Sequence, residues 1–147
     1  MNDIIIKAKE LADIAHKGQV DKSGQPYILH PLALADDLKG RGYEDKYIVV
    51  SLLHDTLEDT YLTIDEICTT LDISTDSDII EALKLLTHEQ SVPYMTYIER
   101  LKCNKIARIV KMADLRHNMD LSRISNITEK DLARIEKYKK AYALLEK

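Results

Sequence analysis

The sequence predicts an all-α chain, a bundle of about seven or eight helices forming one domain over residues 1–147. Three observations carry this. Apolar residues recur at helical spacing along most of the chain. Glycine and proline are scarce, four and three respectively, and all four glycines fall before residue 43. No segment alternates apolar and polar residues in the way a half-buried strand requires.

The first helix is expected over Asn2–His16, where Ile4, Ile5, Ala8, Leu11, Ala12 and Ala15 share one face. Gly18 stops it, and GQVDKSGQPY reads as a loop. Pro31 suits the start of a helix, because its missing N–H costs nothing there. That helix runs to Lys39 and ends at Gly40 and Gly42. The next spans Glu44–Glu58, and its apolar middle, IVVSLL, marks it as central and buried. Thr63 and Glu66 have capping-box spacing and open a helix over Ile64–Leu71. Further helices follow over Asp76–Leu86, Pro93–Leu101 and Asn104–Leu121, and Thr128 and Asp131 introduce a last one ending near Lys147.

Composition narrows the function classes. Apolar residues make up 45% of the chain, enough for a globular core, and that core must do without tryptophan or phenylalanine. The net charge of -4 gives no bulk attraction to nucleic acid or to anionic lipid. The eight tyrosines are scattered and form no stacking platform. No apolar run has the length of a membrane span, and the N-terminus is neither a signal peptide nor an anchor, so a cytoplasmic location is expected. Cys68 and Cys103 have no metal or redox spacing and are expected to be buried free thiols.

The densest polar cluster, His54-Asp55-Thr56-Leu57-Glu58-Asp59, directly follows the most apolar segment. Imidazole and carboxylate are suitable donors for a divalent first-row metal. The same cluster reads equally as a helix cap with a solvated acidic end. Taken alone, His30 reads as a structural histidine, and Asp114 as a surface residue or a partner of Arg116. Together, His30, His54, Asp55 and Asp114 make a mixed nitrogen and oxygen set that suits Mn²⁺, Fe²⁺, Co²⁺, Ni²⁺ or Zn²⁺ better than Mg²⁺. Such a metal lowers the pKa of water, and a nearby carboxylate can take the proton. Glu58 and Asp59 are the candidates for that role and for orienting the histidines. Lys22 and Ser23, beside Gly24, form a weak candidate phosphate loop. Lys111 or Arg116 are further candidates to meet phosphate. His16 reads as a cationic or polar cap at a helix end and His117 as structural; His88 is assigned no role.

Three segments, AHKGQVDKSGQPYILHP (Ala15–Pro31), LLHDTLEDT (Leu52–Thr60) and KMADLRHNM (Lys111–Met119), resemble the hydrolase half of the bacterial Rel/Spo alarmone synthetase–hydrolases, within the HD superfamily. The likeness runs from about Ile4 to Leu145, with all three motifs in order. It implies an HD-domain helical bundle with Mn²⁺ held by His30, His54, Asp55 and Asp114. It further implies that Glu58 and Asp59 activate or position water and that Asn118 lies at a nucleotide sugar. The family reaction removes pyrophosphate from the 3′ position of guanosine tetra- or pentaphosphate. The expected partner is therefore a small phosphorylated nucleotide, with another phosphoester or pyrophosphate metabolite as the alternative. A non-catalytic metal-binding module is a third possibility, though none of the ligands or acids is missing. Small hydrolase-only relatives exist, and because no synthetase segment is present the same is expected here.

Two positions depart from that family pattern. The family loop carries an arginine that packs on guanine, and here the residue is Asp21. The helix motif carries an arginine that is displaced here by one position to Arg116, a turn of about 100°. Guanosine tetraphosphate is therefore expected to be a poor or shared substrate, since a lost cation–π contact is worth roughly 0.5–2 kcal/mol. On the sequence alone, D21R should raise kcat/KM for guanosine tetraphosphate. Unchanged or lower turnover from an already efficient wild type would contradict this.

Overall fold

The computed structural model describes residues 3–147, apart from the side chain of Arg123. Among these residues the chain forms nine α-helices, one 3-10 turn and no strand. In order they are α1 (Asp3–Ala15), α2 (Leu29–Gly40), α3 (Asp45–Leu53), α4 (Thr56–Asp59), α5 (Ile64–Leu71), α6 (Asp78–Leu86), α7 (Tyr94–Lys102), α8 (Lys105–Asn118) and α9 (Glu129–Glu146), with the 3-10 turn at Leu121–Arg123. The single turn α4 continues the chain just beyond α3, and without it the helices number eight. Asn2, where the sequence starts the first helix, lies outside the described residues.

α3 is the axis of the fold. Every residue from Tyr47 to Leu53 is buried, with Val49, Val50, Leu52 and Leu53 wholly inaccessible. A helix that is buried all round must be surrounded, and α1, α2, α6 and α8 pack against it. α9 lies across α7 and α8. Leu34 and Leu38 of α2, Ile80 and Leu83 of α6, and Val110 and Leu115 of α8 complete one continuous apolar cluster with α3.

The helix starts are fixed by side chains the sequence already displayed. Thr63 Oγ1 accepts from the Glu66 amide at 3.2 Å while Glu66 returns a carboxylate oxygen to the Thr63 amide at 3.1 Å. Thr128 and Asp131 form the same reciprocal box at the start of α9. Ser77 and Asn104 each accept from the backbone to cap α6 and α8.

The expected helix over Glu44–Glu58 is in fact broken after Leu53. The reason is local competition for carbonyls. The His54 ring takes the Ser51 carbonyl at 2.7 Å, and Thr56 Oγ1 takes the Leu53 carbonyl at 2.8 Å. Those carbonyls would otherwise accept the amides of a continuing helix. α8 likewise ends at Asn118, three residues short of the expected Leu121. Cys68 is buried as expected, but Cys103 is exposed, because it follows α7 in the short turn before α8.

Two substitutions should separate cap from core. T63A should lower unfolding free energy by about 1 kcal/mol, and L52A by about 2–5 kcal/mol, both measured by urea denaturation followed by circular dichroism. An L52A loss no larger than that of T63A would contradict the central position of α3.

Candidate metal centre and substrate cleft

The break after α3 builds the site. Adjacent residues on a regular helix diverge by about 100°, but His54 and Asp55 occupy a turn with near-helical but uneven dihedrals. This places both side chains toward the first turn of α2 and the last turns of α8. Donor atoms of His30, His54 and Asp55 all lie within 4.8 Å of one another. Asp114, four residues before the end of α8, joins them with its Oδ1 2.8 Å from His30 Nε2 and 3.5 Å from His54 Nε2. Asp55 Oδ2 is 3.1 Å from His54 Nε2.

This cluster fits a divalent metal. His54 Nε2 is fully buried and has no hydrogen-bond partner, because the two nearby carboxylate oxygens lie outside hydrogen-bond geometry. A buried polar atom in that condition is costly unless something else satisfies it. Two ligands at right angles, each about 2.1 Å from a metal, lie about 3 Å apart, close to the separations found here. Two imidazoles with carboxylates form a borderline donor set suited to first-row transition metals.

The electrostatics follow from burial and pairing. Burial opposes the charge on Asp114, but the Lys111 ammonium and the two histidines outweigh it and hold its pKa well below the usual carboxylate range. Burial also opposes protonation of His54, and the Asp55 and Asp114 carboxylates overcome this to raise it well above an ordinary histidine. The hydroxyl of Tyr27 donates to Asp55 Oδ2. Burial and the Asp55 charge raise the tyrosine's pKa and keep it a donor.

The groups orienting the histidines are not those expected from the sequence. His30 Nδ1 meets His117 Nδ1 at 2.6 Å, and His54 Nδ1 donates to the Ser51 carbonyl. Glu58 and Asp59 stand instead on the separate turn α4. Glu58 Oε1 accepts from the His88 amide at 2.7 Å, so the histidine left without a role anchors one of the acids. The Asp59 carbonyl accepts from Gln19 Nε2 at 3.0 Å. Burial, then the negative charges of Asp55 and Glu58, push the Asp59 carboxyl up to about 6. His16 is no cationic cap. It is buried, with Nδ1 2.9 Å from Gln19 Oε1 and its ring against Tyr27, and burial lowers its pKa.

A cleft of about 310 Å³ opens beside His30. Lys22, Ser23 and Asn118 line it, as do Asp21, Tyr27 and, from α9, Arg134 and Tyr138. The α9 pair went unrecognised because its spacing reads as an ordinary amphipathic helix surface. Neither Lys111 nor Arg116 lines this cleft. Lys111 turns inward to Asp114. Arg116 reaches Asp37 at 2.7 Å and the Tyr142 hydroxyl at 3.2 Å, consistent with its displaced position in the motif. Asp21 has a second duty. Its Oδ1 accepts from the Ser23 amide, the Ser23 hydroxyl and the Gln25 amide at 2.9, 2.7 and 3.0 Å. Gly24, at φ 82°, completes the turn. D21R would therefore dismantle the loop as well as change its charge, and it cannot report on base recognition alone.

Comparison with known proteins agrees with this architecture. The HD domain family matches residues 8–145. A GTP pyrophosphokinase of Myxococcus xanthus is 33% identical over 144 residues, covering 90% of this chain and 19% of that protein. The bifunctional (p)ppGpp synthase/hydrolase RelA of Mycobacterium tuberculosis is 49% identical over 57 residues, 39% of this chain and 8% of that one. The chain thus spans less than a fifth of these relatives' length. A solved structure of a metazoan ortholog of SpoT that hydrolyzes ppGpp superposes with a TM-score of 0.79 over 99% of this chain and 86% of that one. At 18% identity that likeness carries the fold. With the family match running nearly end to end and the His-Asp pair set in a His/His/Asp cluster, this chain belongs to the HD-domain family and is related to the Rel/Spo-type synthase/hydrolases.

Proposed function

We propose that this chain is a metal-dependent phosphohydrolase acting on a small phosphorylated nucleotide, with removal of a 3′-pyrophosphate from guanosine tetra- or pentaphosphate as the model reaction. The observation that carries it is the convergence of the His30, His54 and Asp55 donor atoms, one of them a buried nitrogen without a partner, beside a cleft of nucleotide-compatible lining. His30, His54, Asp55 and Asp114 would hold the metal, with Mn²⁺ favoured by the family likeness. When bound, the metal would act as a Lewis acid toward a phosphate oxygen and make water more acidic.

The chain's own residues supply the rest. Hydrolysis breaks one P–O bond, forms another to water, and releases a proton that a base must take. Glu58 and Asp59 are the carboxylates for that task, and α4 presents them together next to the metal-binding turn. Partial burial gives Asp59 a higher proton affinity than a solvated aspartate. Lys22 offers a phosphate one cation, and the loop beside it is held in shape by the Ser23 amide and hydroxyl, both of which donate to Asp21. Asn118 lines the cleft while donating to Asp114 Oδ1 at 2.9 Å, which sets a sugar-binding amide at a fixed distance from the metal ligands. Tyr138 and Tyr27 provide aromatic walls.

A second reading, hydrolysis without guanine specificity, is favoured by Asp21. An anion stands at the cleft where the family carries a stacking arginine, and the two are not interchangeable.

Three outcomes are expected. D55A and D114A should lose most bound Mn²⁺ by metal analysis of the purified proteins, and full occupancy in both would refute the assignment. E58Q and D59N should keep the metal but lose about 10²–10⁴-fold in kcat, measured against a panel of guanosine tetraphosphate, ordinary nucleotides and nucleoside bisphosphates. D21N keeps every hydrogen bond of the loop and removes its charge, so it should raise kcat/KM for the most highly charged substrates in that panel. No change across the panel would show that Asp21 faces no phosphate.

A further inference from the structure

We propose that Lys111 is a positioning residue that leaves Asp114 only its Oδ1 to offer a metal and so keeps room beside the metal for substrate and water. The inference rests on the metal centre proposed above.

The two oxygens of Asp114 have different surroundings. Oδ1 faces the histidines, 2.8 Å from His30 Nε2 and 3.5 Å from His54 Nε2, and accepts from Asn118 Nδ2 at 2.9 Å, a bond that leaves it a lone pair for a metal. Oδ2 is bound by the Lys111 ammonium at 2.9 Å. A carboxylate with both oxygens free can bind a cation through both, whereas here the ammonium already holds one of them. The geometry is stiff. Lys111 and Asp114 are three residues apart on one face of α8, and their side chains are only 13% and 6% exposed. The ammonium also lies 5.4 Å from the Tyr97 ring centroid and 5.9 Å from that of Tyr94, so two aromatic faces hold it as well. Tyr97 is itself tied to the Leu86 carbonyl at 2.6 Å.

Lys111 does not line the cleft beside His30 and is turned inward to Asp114. Its influence passes through Asp114 in two ways. It removes one ligand atom from those the protein offers. It also sets the charge: Asp55 and Asp114 with Lys111 sum to one negative charge, and a divalent ion brings the sum to one positive. An anionic phosphate is attracted to that sum. Without Lys111 the loaded site would be neutral, and Asp114 could close over the metal with both oxygens.

The test compares wild type, K111M and K111Q, two neutral variants of similar length, with K111R. Mn²⁺ affinity is measured by calorimetry, thermal unfolding is followed with and without Mn²⁺, and inhibition of Mn²⁺-loaded enzyme by inorganic phosphate is titrated. Removing a positive charge next to the ligands should tighten Mn²⁺ binding at least about tenfold in K111M and K111Q and enlarge the rise in Tm that Mn²⁺ produces. Phosphate inhibition should weaken by a similar factor, and K111R should restore wild-type values. A lysine that merely braces α8 would lower Tm equally with and without Mn²⁺ and leave affinity unchanged or reduced; that result overturns the proposal. If K111M does not fold, K111Q decides on the same readouts, and K111R must still match wild type. Wild-type protein that binds no Mn²⁺ overturns the metal centre and this inference together. Wild-type binding without a gain in either neutral variant overturns this inference alone.

Discussion

A carboxylate that is buried must be paired, and Asp114 is the point at which this constraint shapes the molecule. Placing a charge in the core costs several kcal/mol unless hydrogen bonds and opposite charges replace its water. Asp114 meets the requirement with a lysine and an asparagine from its own helix and a histidine from α2, with the His54 ring of the α3–α4 turn close by. Three elements distant in sequence are thereby held in one register. The apolar packing of α2, α3 and α8 drives their association. Apolar packing alone has no direction, however, and the polar contacts around Asp114 select one alignment.

The same arrangement explains why the site lies beside the most apolar part of the chain. α3 is buried from Tyr47 to its end, and it ends with side chains that take over backbone carbonyls. His54 is held by a carbonyl of its own helix and His30 by the ring of His117. Both imidazoles are therefore oriented by groups on stable helical elements rather than on mobile loops.

Most of the fold was legible in the sequence because helices announce themselves through spacing and caps. Thr63 with Glu66 and Thr128 with Asp131 open helices as their pattern implies. The break after Leu53 was not legible, since His54 and Thr56 are compatible with a continuing helix and only the competition for carbonyls decides otherwise. The residue types of the candidate metal cluster are visible in the sequence, but their partners are not. His117 and Ser51 orient the histidines through contacts that depend on tertiary placement, which no local pattern encodes. Asp21 looked like a simple change of charge, although its carboxylate also organises a turn. Cysteine is usually buried, but Cys103 falls in a solvent-facing turn that its residue type does not signal.

The acid-bearing turn α4 packs Thr56 and Leu57 inward, and its acid end is also tied from outside. One acid is fastened through the His88 amide of the α6–α7 connection, and the other residue's carbonyl through the Gln19 side chain of the α1–α2 connection. Two surface loops thus act as guy ropes for four residues. Loops ordinarily accept insertions at little thermodynamic cost, but here the length of each rope sets the position of the acids. An added residue next to Gln19 or His88 would leave the helical core intact while slackening the turn. The surface is therefore unequal in its tolerance of length change, and two connections that contribute no donor to the candidate metal cluster are constrained all the same.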